Sequence, residues 1–186
     1  MGAALALVTA YLLGSVPFAY LVARARGVNI FAVGTGNPGA ANVFRMVSKP
    51  LGVLVFLLDM GKGLGAVGLG RAWGLGEGWL IALGAMAILG HGYSCFLGFR
   101  GGTGLATAIG AGIGISPLPG VLALLSAVGV ALPLLRSTGH AAGLGIGLFL
   151  LLSLLLGRGW FTTLGPVVLF ALVLAQSRLA PRLARR

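Results

Sequence analysis

Residues 51–70 read LGVLVFLLDMGKGLGAVGLG. About 20 apolar residues are enough for one helix to cross the roughly 30 Å hydrocarbon core of a bilayer. The stretch carries two charges, Asp59 and Lys62, whose i, i+3 spacing puts them on one face of that helix. Charges inside a membrane span usually mark a functional site, although an ion pair that only holds helices together is an equal alternative here. The stretch therefore predicts a transmembrane helix that turns a charged pair toward other helices.

The composition extends this prediction to the whole chain. Of the 186 residues, 58% are hydrophobic and 8% are charged, whereas soluble domains carry about 25% charged residues. A soluble globule and a disordered chain are both excluded by these values. The single cysteine, Cys95, excludes a disulfide framework, and no His or Cys cluster has metal-ligand spacing. We predict one integral membrane domain over residues 1–186, all-α, with neither metal nor cofactor.

Seven apolar segments predict a polytopic helical bundle of about seven transmembrane helices. Several segments have only about 15 residues, so five or six spans remain possible. Gly110 and Gly114 form a small-xxx-small pair that allows helix backbones to approach closely. The segments are residues 3–23, 51–70, 79–97, 104–115, 121–135, 141–156 and 160–175.

Basic residues predict the orientation of the bundle. Seven spans place ten Lys and Arg residues on one side and two, Arg71 and Arg158, on the other. Cytoplasmic loops are enriched in Lys and Arg, so the N-terminus is predicted outside and the C-terminus in the cytoplasm. The net charge of +11 is thereby explained by topology, and scattered aromatics give no platform for nucleic acid. The ten are Arg24, Arg26, Arg45, Lys49, Arg100, Arg136, Arg178, Arg182, Arg185 and Arg186.

A glycine-rich segment, GTGNPGAANVFR at residues 34–45, lies on the predicted cytoplasmic side. Asn37 is a good helix N-cap and Pro38 a good first helical residue, so a short helix is predicted to start there. This segment has the groups that bind a phosphate: free N–H groups around Gly34 and Gly36, the Thr35 hydroxyl and the Arg45 guanidinium. The alternative is a plain glycine-rich turn between two spans, with a topology charge at its end.

A second polar segment, GHGYSCFLGFRGGTGLAT at residues 90–107, follows the third span. His91 ends the span, and the Gly101–Gly104 turn enters the next one as a possible anion-binding nest. A lone histidine is more often a hydrogen-bonded structural residue, and that alternative stays open. No Gly-x-Ser-x-Gly elbow is present, and neither histidine has the His-x4-Asp spacing of soluble-headgroup acyltransferases.

Four segments together resemble one family, the small bacterial membrane acyltransferases known as PlsY. They are residues 14–20, 34–45, 58–63 and 90–107, in the family's order and spacing. The resemblance implies a seven-span bundle in the bacterial inner membrane with a cytoplasmic active site. It also implies transfer of an acyl group from acyl phosphate to the 1-hydroxyl of glycerol 3-phosphate, giving lysophosphatidate and phosphate. Both substrates and the lipid bilayer are the implied partners.

The resemblance also implies roles for individual residues. Thr35, Asn37 and Asn42 would hold the acyl phosphate, Arg45 and Arg100 would hold phosphate charge, and His91 would bind or polarise a substrate. Further implied substrate-binding residues are Gly34, Gly36, Gly101, Gly102 and Thr103. Residues implied to order the site without touching substrate are Ser15, Asp59 and Lys62.

The sequence departs from the family pattern at several of these positions. Ala41 replaces a threonine, Thr35 a serine, Ser94 a proline and Arg100 a lysine. Thr103 replaces a lysine that binds substrate phosphate in the family, and we expect Arg100 to supply the missing charge. The family's C-terminal His and Asn are absent from residues 176–182. A non-catalytic paralogue and a membrane protein that binds or transports anions or lipid headgroups therefore remain alternatives.

Overall fold

The computed structural model describes residues 2–135 and 137–183, and within them the chain is helical and has no strand. A 3₁₀ turn, Cys95–Leu97, and a π-helical segment, Ala127–Ala131, interrupt the α-helices. The α-helices are α1 Gly2–Ser15, α2 Phe18–Arg24, α3 Ala40–Met46, α4 Lys49–Ala72, α5 Glu77–Gly92, α6 Leu105–Ile115, α7 Pro117–Ser126, α8 Leu132–Leu135, α9 Thr138–Leu155 and α10 Trp160–Leu183. The predicted all-α bundle is thereby confirmed.

Four helical segments are long and apolar enough to cross a membrane: Gly2–Arg24, Lys49–Ala72, Glu77–Leu97 and Trp160–Arg178. Three shorter apolar helices lie between the last two of them, in residues 105–155. The seven apolar segments are thus helical, while the number that cross the membrane and the side of each terminus stay predictions. Three residues of the charge count, Arg136, Arg185 and Arg186, lie outside the described residues.

The bundle is built on two close helix pairs, α1 with α5 and α4 with α6. Glycines make both contacts possible, because a Cβ at Gly63 would overlap the carbonyl oxygen of Thr107, and one at Gly110 that of Met60. Gly14 and Gly90 do the same for the other pair. Small residues at such crossings allow backbones to approach, as expected in membrane bundles. Helix α10 packs across α5 and α6 and completes the central core.

The first span is broken, which the sequence prediction of one continuous segment over residues 3–23 did not include. Helix α1 ends at Ser15 and α2 begins at Phe18, with Pro17 between them. Proline has no N–H and cannot continue the hydrogen-bond ladder of a helix. The break leaves the carbonyl groups of Gly14 and Val16 available to a side chain of another helix.

Candidate active site

Lys62 and Asp59 form an ion pair inside the bundle, with 2.8 Å between Lys62 Nζ and Asp59 Oδ1. Both side chains are only 2% exposed. The same ammonium donates to Gly14 O at 3.1 Å and to Val16 O at 2.8 Å, the carbonyls freed by the helix break. The predicted pairing on one helix face is therefore confirmed, and the pair also ties α4 to the broken first span.

His91, in the last turn of α5, is the third member of this buried cluster. Its Nδ1 lies 3.2 Å from Lys62 Nζ, 3.4 Å from Thr107 Oγ1 and 3.7 Å from Asp59 Oδ1. The other ring nitrogen, Nε2, faces Gly102, where an added Cβ would collide with it. In the described part of the chain Nε2 has no hydrogen-bond partner.

A small cavity lies between this cluster and the loops that cover it. Asp59, Lys62 and His91 line its inner end. The loop side of the cavity is lined by Phe18, Pro38, Ser94, Leu97, Gly101 and Gly102, among others. Of the predicted site residues, the structure thus gathers the charged pair, the histidine and two glycines around one cavity.

Ser15 and Ser94 fasten the helix break to the loop after α5. Ser94 Oγ donates to the carbonyl of Ser15 at 2.6 Å, and Ser15 Oγ donates to Tyr11 O at 2.9 Å. Tyr11 OH donates in turn to Tyr93 O at 2.6 Å. Ser15 and Ser94 are both buried. These contacts fit the ordering role expected of Ser15.

Asn42 organises the loop that precedes α3. Its Nδ2 donates to the carbonyls of Ile30, at 3.3 Å, and Val33, at 3.0 Å, and its Oδ1 accepts from Thr35 N at 3.2 Å. The side chain is 2% exposed and does not line the cavity. Both amide hydrogens are committed to backbone oxygens, so Asn42 orders the loop, and its expected contact with a substrate stays a prediction.

The loop is also more self-contained than its glycines suggested. The N–H groups of Thr35, Gly36 and Asn37 donate to Asn42, Val33 and the Thr35 hydroxyl respectively. The expected set of free N–H groups is therefore largely used within the loop. Gly34 and Gly36 adopt positive φ values of 57° and 67°, as the tight turn requires.

The predicted start of the short helix at Asn37–Pro38 is wrong. Helix α3 begins at Ala40, and Gly39 precedes it in an extended conformation. The Gly39 N–H donates to the Asn37 carbonyl at 2.8 Å, and this local turn delays the helix. Arg45 is exposed, its Nε donates to Ala41 O at 3.1 Å within α3, and it does not line the cavity.

Arg100 stacks on the first loop. Its guanidinium carbon lies 4.5 Å from the centroid of the Phe31 ring, a cation–π distance, and the residue is exposed. Arg100 and Thr103 do not line the cavity, although Thr103 sits two residues before α6. The guanidinium is directed to Phe31 here, and the expectation that Arg100 supplies the charge of the missing lysine stays a prediction.

Gln176 is a buried polar residue next to this region that the sequence did not single out. It is 5% exposed, and neither atom of its side-chain amide has a hydrogen-bond partner in residues 2–135 and 137–183. A Cβ at Gly92 would touch this amide, and Gln176 Oε1 is 3.8 Å from the Cβ position of Gly104. The one feature of the sequence that could have indicated Gln176 is its position as a lone amide near the end of an apolar segment.

The amino end of α6 faces the same region. The N–H groups of Leu105 and Ala106 find no acceptor among the described residues, as is usual for the first turn of a helix. Such a helix end favours a negatively charged group. With Gln176 beside Gly104, two sets of polar groups without protein partners lie close together.

An apolar groove starts where this polar region ends. It encloses about 640 Å³, part of which is open to the surroundings. Leu105, Ala108 and Gly112 line it on α6, and Phe149 and Phe170 line it on α9 and α10. At about 1.5 Å rise per residue, the α6 side is roughly 12 Å long from Leu105 to Ile113.

Comparisons with known proteins agree with this arrangement. A family model described as glycerol-3-phosphate acyltransferase matches residues 4–183. Relatives with that name are 46% identical over 121 residues in Geobacter sulfurreducens and 45% identical over 156 residues in Thermus thermophilus. These alignments cover 65% and 82% of this chain. They span 62% of the first relative's length and 76% of the second's.

Two solved structures share the fold. They are crystal structures of PlsY, an integral membrane glycerol 3-phosphate acyltransferase, in a glycerol 3-phosphate form and a lysophosphatidic acid form. Their TM-scores are 0.84 and 0.81, with 33% and 32% identity. Both comparisons cover 96% of this chain and 89% of the other. Fold and site thus define a multi-pass integral membrane protein with a polar site at helix ends. The chain belongs to the glycerol-3-phosphate acyltransferase family, as its sequence resemblance predicted.

Proposed function

We propose that this protein transfers an acyl group from acyl phosphate to the 1-hydroxyl of glycerol 3-phosphate, at the cytoplasmic face of the bacterial inner membrane. The products are 1-acylglycerol 3-phosphate and inorganic phosphate. Family membership and the fold of the PlsY structures support this reaction. The relatives' names specify the acyl acceptor, glycerol 3-phosphate. That acyl phosphate is the acyl donor is part of this proposal.

One observation about the geometry carries the proposal: a polar region and an apolar groove meet at the first turn of α6. Gly101 and Gly102 line the polar cavity just before this turn, and Leu105 and Ala108 line the groove just after its start. An acylation site needs both halves, since a charged phosphate and a hydrocarbon chain must meet at the reacting carbon. The groove would hold the acyl chain, with its carbonyl end at α6.

The chemistry needs no nucleophilic side chain, because the donor is already activated. The hydroxyl oxygen of glycerol 3-phosphate attacks the acyl carbon, and the bond between that carbon and the phosphate oxygen breaks. Phosphate leaves with the bonding electrons, and one of its oxygens takes the hydroxyl proton. The protein binds both phosphates, aligns the hydroxyl and stabilises the negative charge that develops on the acyl oxygen.

The residues take distinct parts in this proposal. The amino end of α6 and the Gln176 amide would bind phosphate oxygens, and His91 would donate a hydrogen bond from Nε2. The exposed Thr35 hydroxyl and the Arg45 guanidinium would meet the second phosphate when the loop closes on substrate. Asn42, Asp59 and Lys62 would hold the loops and the histidine in position.

A direct assay separates the proposed function from its alternatives. Purified protein is given acyl phosphate and glycerol 3-phosphate, and phosphate and lysophosphatidate are measured. The proposal expects both products in equal amounts, with activity kept in His140→Gln, whose histidine is exposed and distant in sequence from the site. If folded protein gives neither product, the proposal is overturned and the chain is better explained as a non-catalytic paralogue. Thr103, in place of the family's lysine, is the main residue that favours that alternative. Uptake of labelled glycerol 3-phosphate into proteoliposomes without acylation would instead indicate a transporter.

A further inference from the structure

The contacts of His91 determine which of its ring nitrogens carries a proton. An ammonium group has three donors and no lone pair, so Lys62 Nζ can only donate to His91 Nδ1, 3.2 Å away. A proton on Nδ1 would point at this cation, and the acceptor left for it among the described residues would be the more distant Thr107 hydroxyl. The Thr107 hydroxyl, 3.4 Å from Nδ1, is able to donate to the same nitrogen.

The carboxylate of Asp59 does not reverse this assignment. Its Oδ1 is 3.7 Å from His91 Nδ1, beyond the usual hydrogen-bond range, but 2.8 Å from Lys62 Nζ. The carboxylate therefore holds the ammonium, and the ammonium faces the ring. Carbonyls of Gly14 and Val16 hold the same ammonium from the side of the broken first span. Lys62 is thus fixed from three directions around its contact with the histidine.

We propose that Lys62, anchored by Asp59, is a positioning residue that fixes His91 as the neutral tautomer with its proton on Nε2. Nε2 faces Gly102 and the cavity, and no described residue accepts from it. His91 then presents a single N–H donor to a substrate oxygen. In this tautomer neither nitrogen is available as a base for the substrate, because Nδ1 is turned to Lys62 and Nε2 already carries the proton.

Gly102 fits this assignment. Its N–H donates to the His91 carbonyl at 3.1 Å, which fixes the turn directly over the ring. A side chain at Gly102 would collide with Nε2 and close the space in front of the N–H. The glycine therefore keeps an oxygen-sized approach to the donor open.

Nitrogen NMR tests the tautomer without reference to any activity. The probe is protein labelled with ¹⁵N-histidine in a His140→Gln background, which leaves His91 as the one histidine of the chain. The expected spectrum has a protonated Nε2 and a bare Nδ1, distinguished by their couplings to the ring hydrogens. A proton on Nδ1, or on both nitrogens, would overturn the proposal.

A paired variant tests whether Lys62 is responsible. Asp59→Asn/Lys62→Met removes both charges, so no uncompensated charge remains buried. In folded variant protein the His91 signals should change to a mixture of tautomers, whereas a purely structural role for the pair would leave them unchanged. Unchanged signals would refute Lys62 as the positioning residue.

Two substitutions at His91 test whether its Nε2–H donor contributes to kcat. This experiment rests on the proposed function. Gln places its amide nitrogen near the position of Nε2, while the shorter Asn places its nitrogen near Nδ1. His91→Asn should lower kcat roughly 100-fold or more, the loss typical of an oxyanion donor. His91→Gln should stay within about tenfold of the wild type, the size of one ordinary hydrogen bond. Equal losses would contradict a donor at Nε2, while an inactive wild type with the expected NMR spectrum would reject only the proposed function.

Discussion

Lys62 Nζ lies 2.8 Å from Asp59 Oδ1 one helical turn earlier, and the same nitrogen lies 3.2 Å from His91 Nδ1 on the neighbouring helix. One ammonium thus joins α4 to α5 and, through two carbonyls, to the break in the first span. The cluster contains one negative and one positive charge, so removing either leaves the other buried alone.

Single and double neutralisation of this pair should therefore differ. Asp59→Asn or Lys62→Met alone should lower the free energy of unfolding by about 3–5 kcal/mol, the cost of an unpaired buried charge. The double variant should lose less than either single variant. Thermal unfolding in detergent measures these stabilities. Equal stability of the wild type, the two single variants and the double variant would show that Asp59 and Lys62 do not stabilise each other.

Glycines at the helix crossings should not tolerate a methyl group. Gly63→Ala forces α4 away from α6, since the new Cβ would overlap Thr107 O, and should cost about 1–3 kcal/mol. Gly68→Ala on the same helix is the matched control, because no atom lies within 4 Å of its Cβ position. That control should be neutral or stabilising by up to about 1 kcal/mol. Equal losses at both positions would argue against the close crossing.

Replacing Gln176 should separate stability from activity. Gln176→Leu removes a buried amide without partners and should raise the unfolding free energy by about 1–3 kcal/mol. If the amide binds a phosphate oxygen, the same variant should raise the KM for glycerol 3-phosphate by roughly 10- to 150-fold. A more stable variant with unchanged KM would remove Gln176 from the proposed site.

The charge missing at Thr103 should be restorable. Thr103→Lys places an ammonium just before the amino end of α6 and should lower the KM for glycerol 3-phosphate about tenfold or more. Arg100→Ala should change KM only a few-fold, since the guanidinium packs on Phe31 at a contact worth about 0.5–1 kcal/mol. Phe31→Leu is the matched control and should have a similar effect. A KM increase above about 100-fold in Arg100→Ala alone would instead show that Arg100 supplies the charge of the missing lysine.

The orientation is testable with single cysteines in a Cys95→Ser background. Positions 29 and 48 should resist an impermeant thiol reagent in intact cells and react after lysis, because they lie in the predicted cytoplasmic loop. Position 76, between α4 and α5, should react in intact cells. The reverse pattern would invert the topology derived from the basic residues.

The sequence by itself determined the membrane class, the seven apolar helices and the shared face of Asp59 and Lys62, because these depend on local composition and helical period. The resemblance of four short segments also identified the family. At the loop before α3, residue types alone did not predict where the helix begins. Asn37 and Pro38 are typical of a helix start, but a turn between Gly39 N–H and the Asn37 carbonyl precedes the helix, which begins at Ala40.

Only the tertiary structure decided which polar groups meet. His91 reaches Lys62 across 29 residues, and Gln176 reaches Gly92 and Gly104 through the packing of the last helix. The tertiary structure also directs the Asn42 side chain into its loop and stacks Arg100 on Phe31. Such contacts depend on how closely helices cross and where a helix breaks, and the glycines at those crossings set distances that no periodicity along the chain encodes.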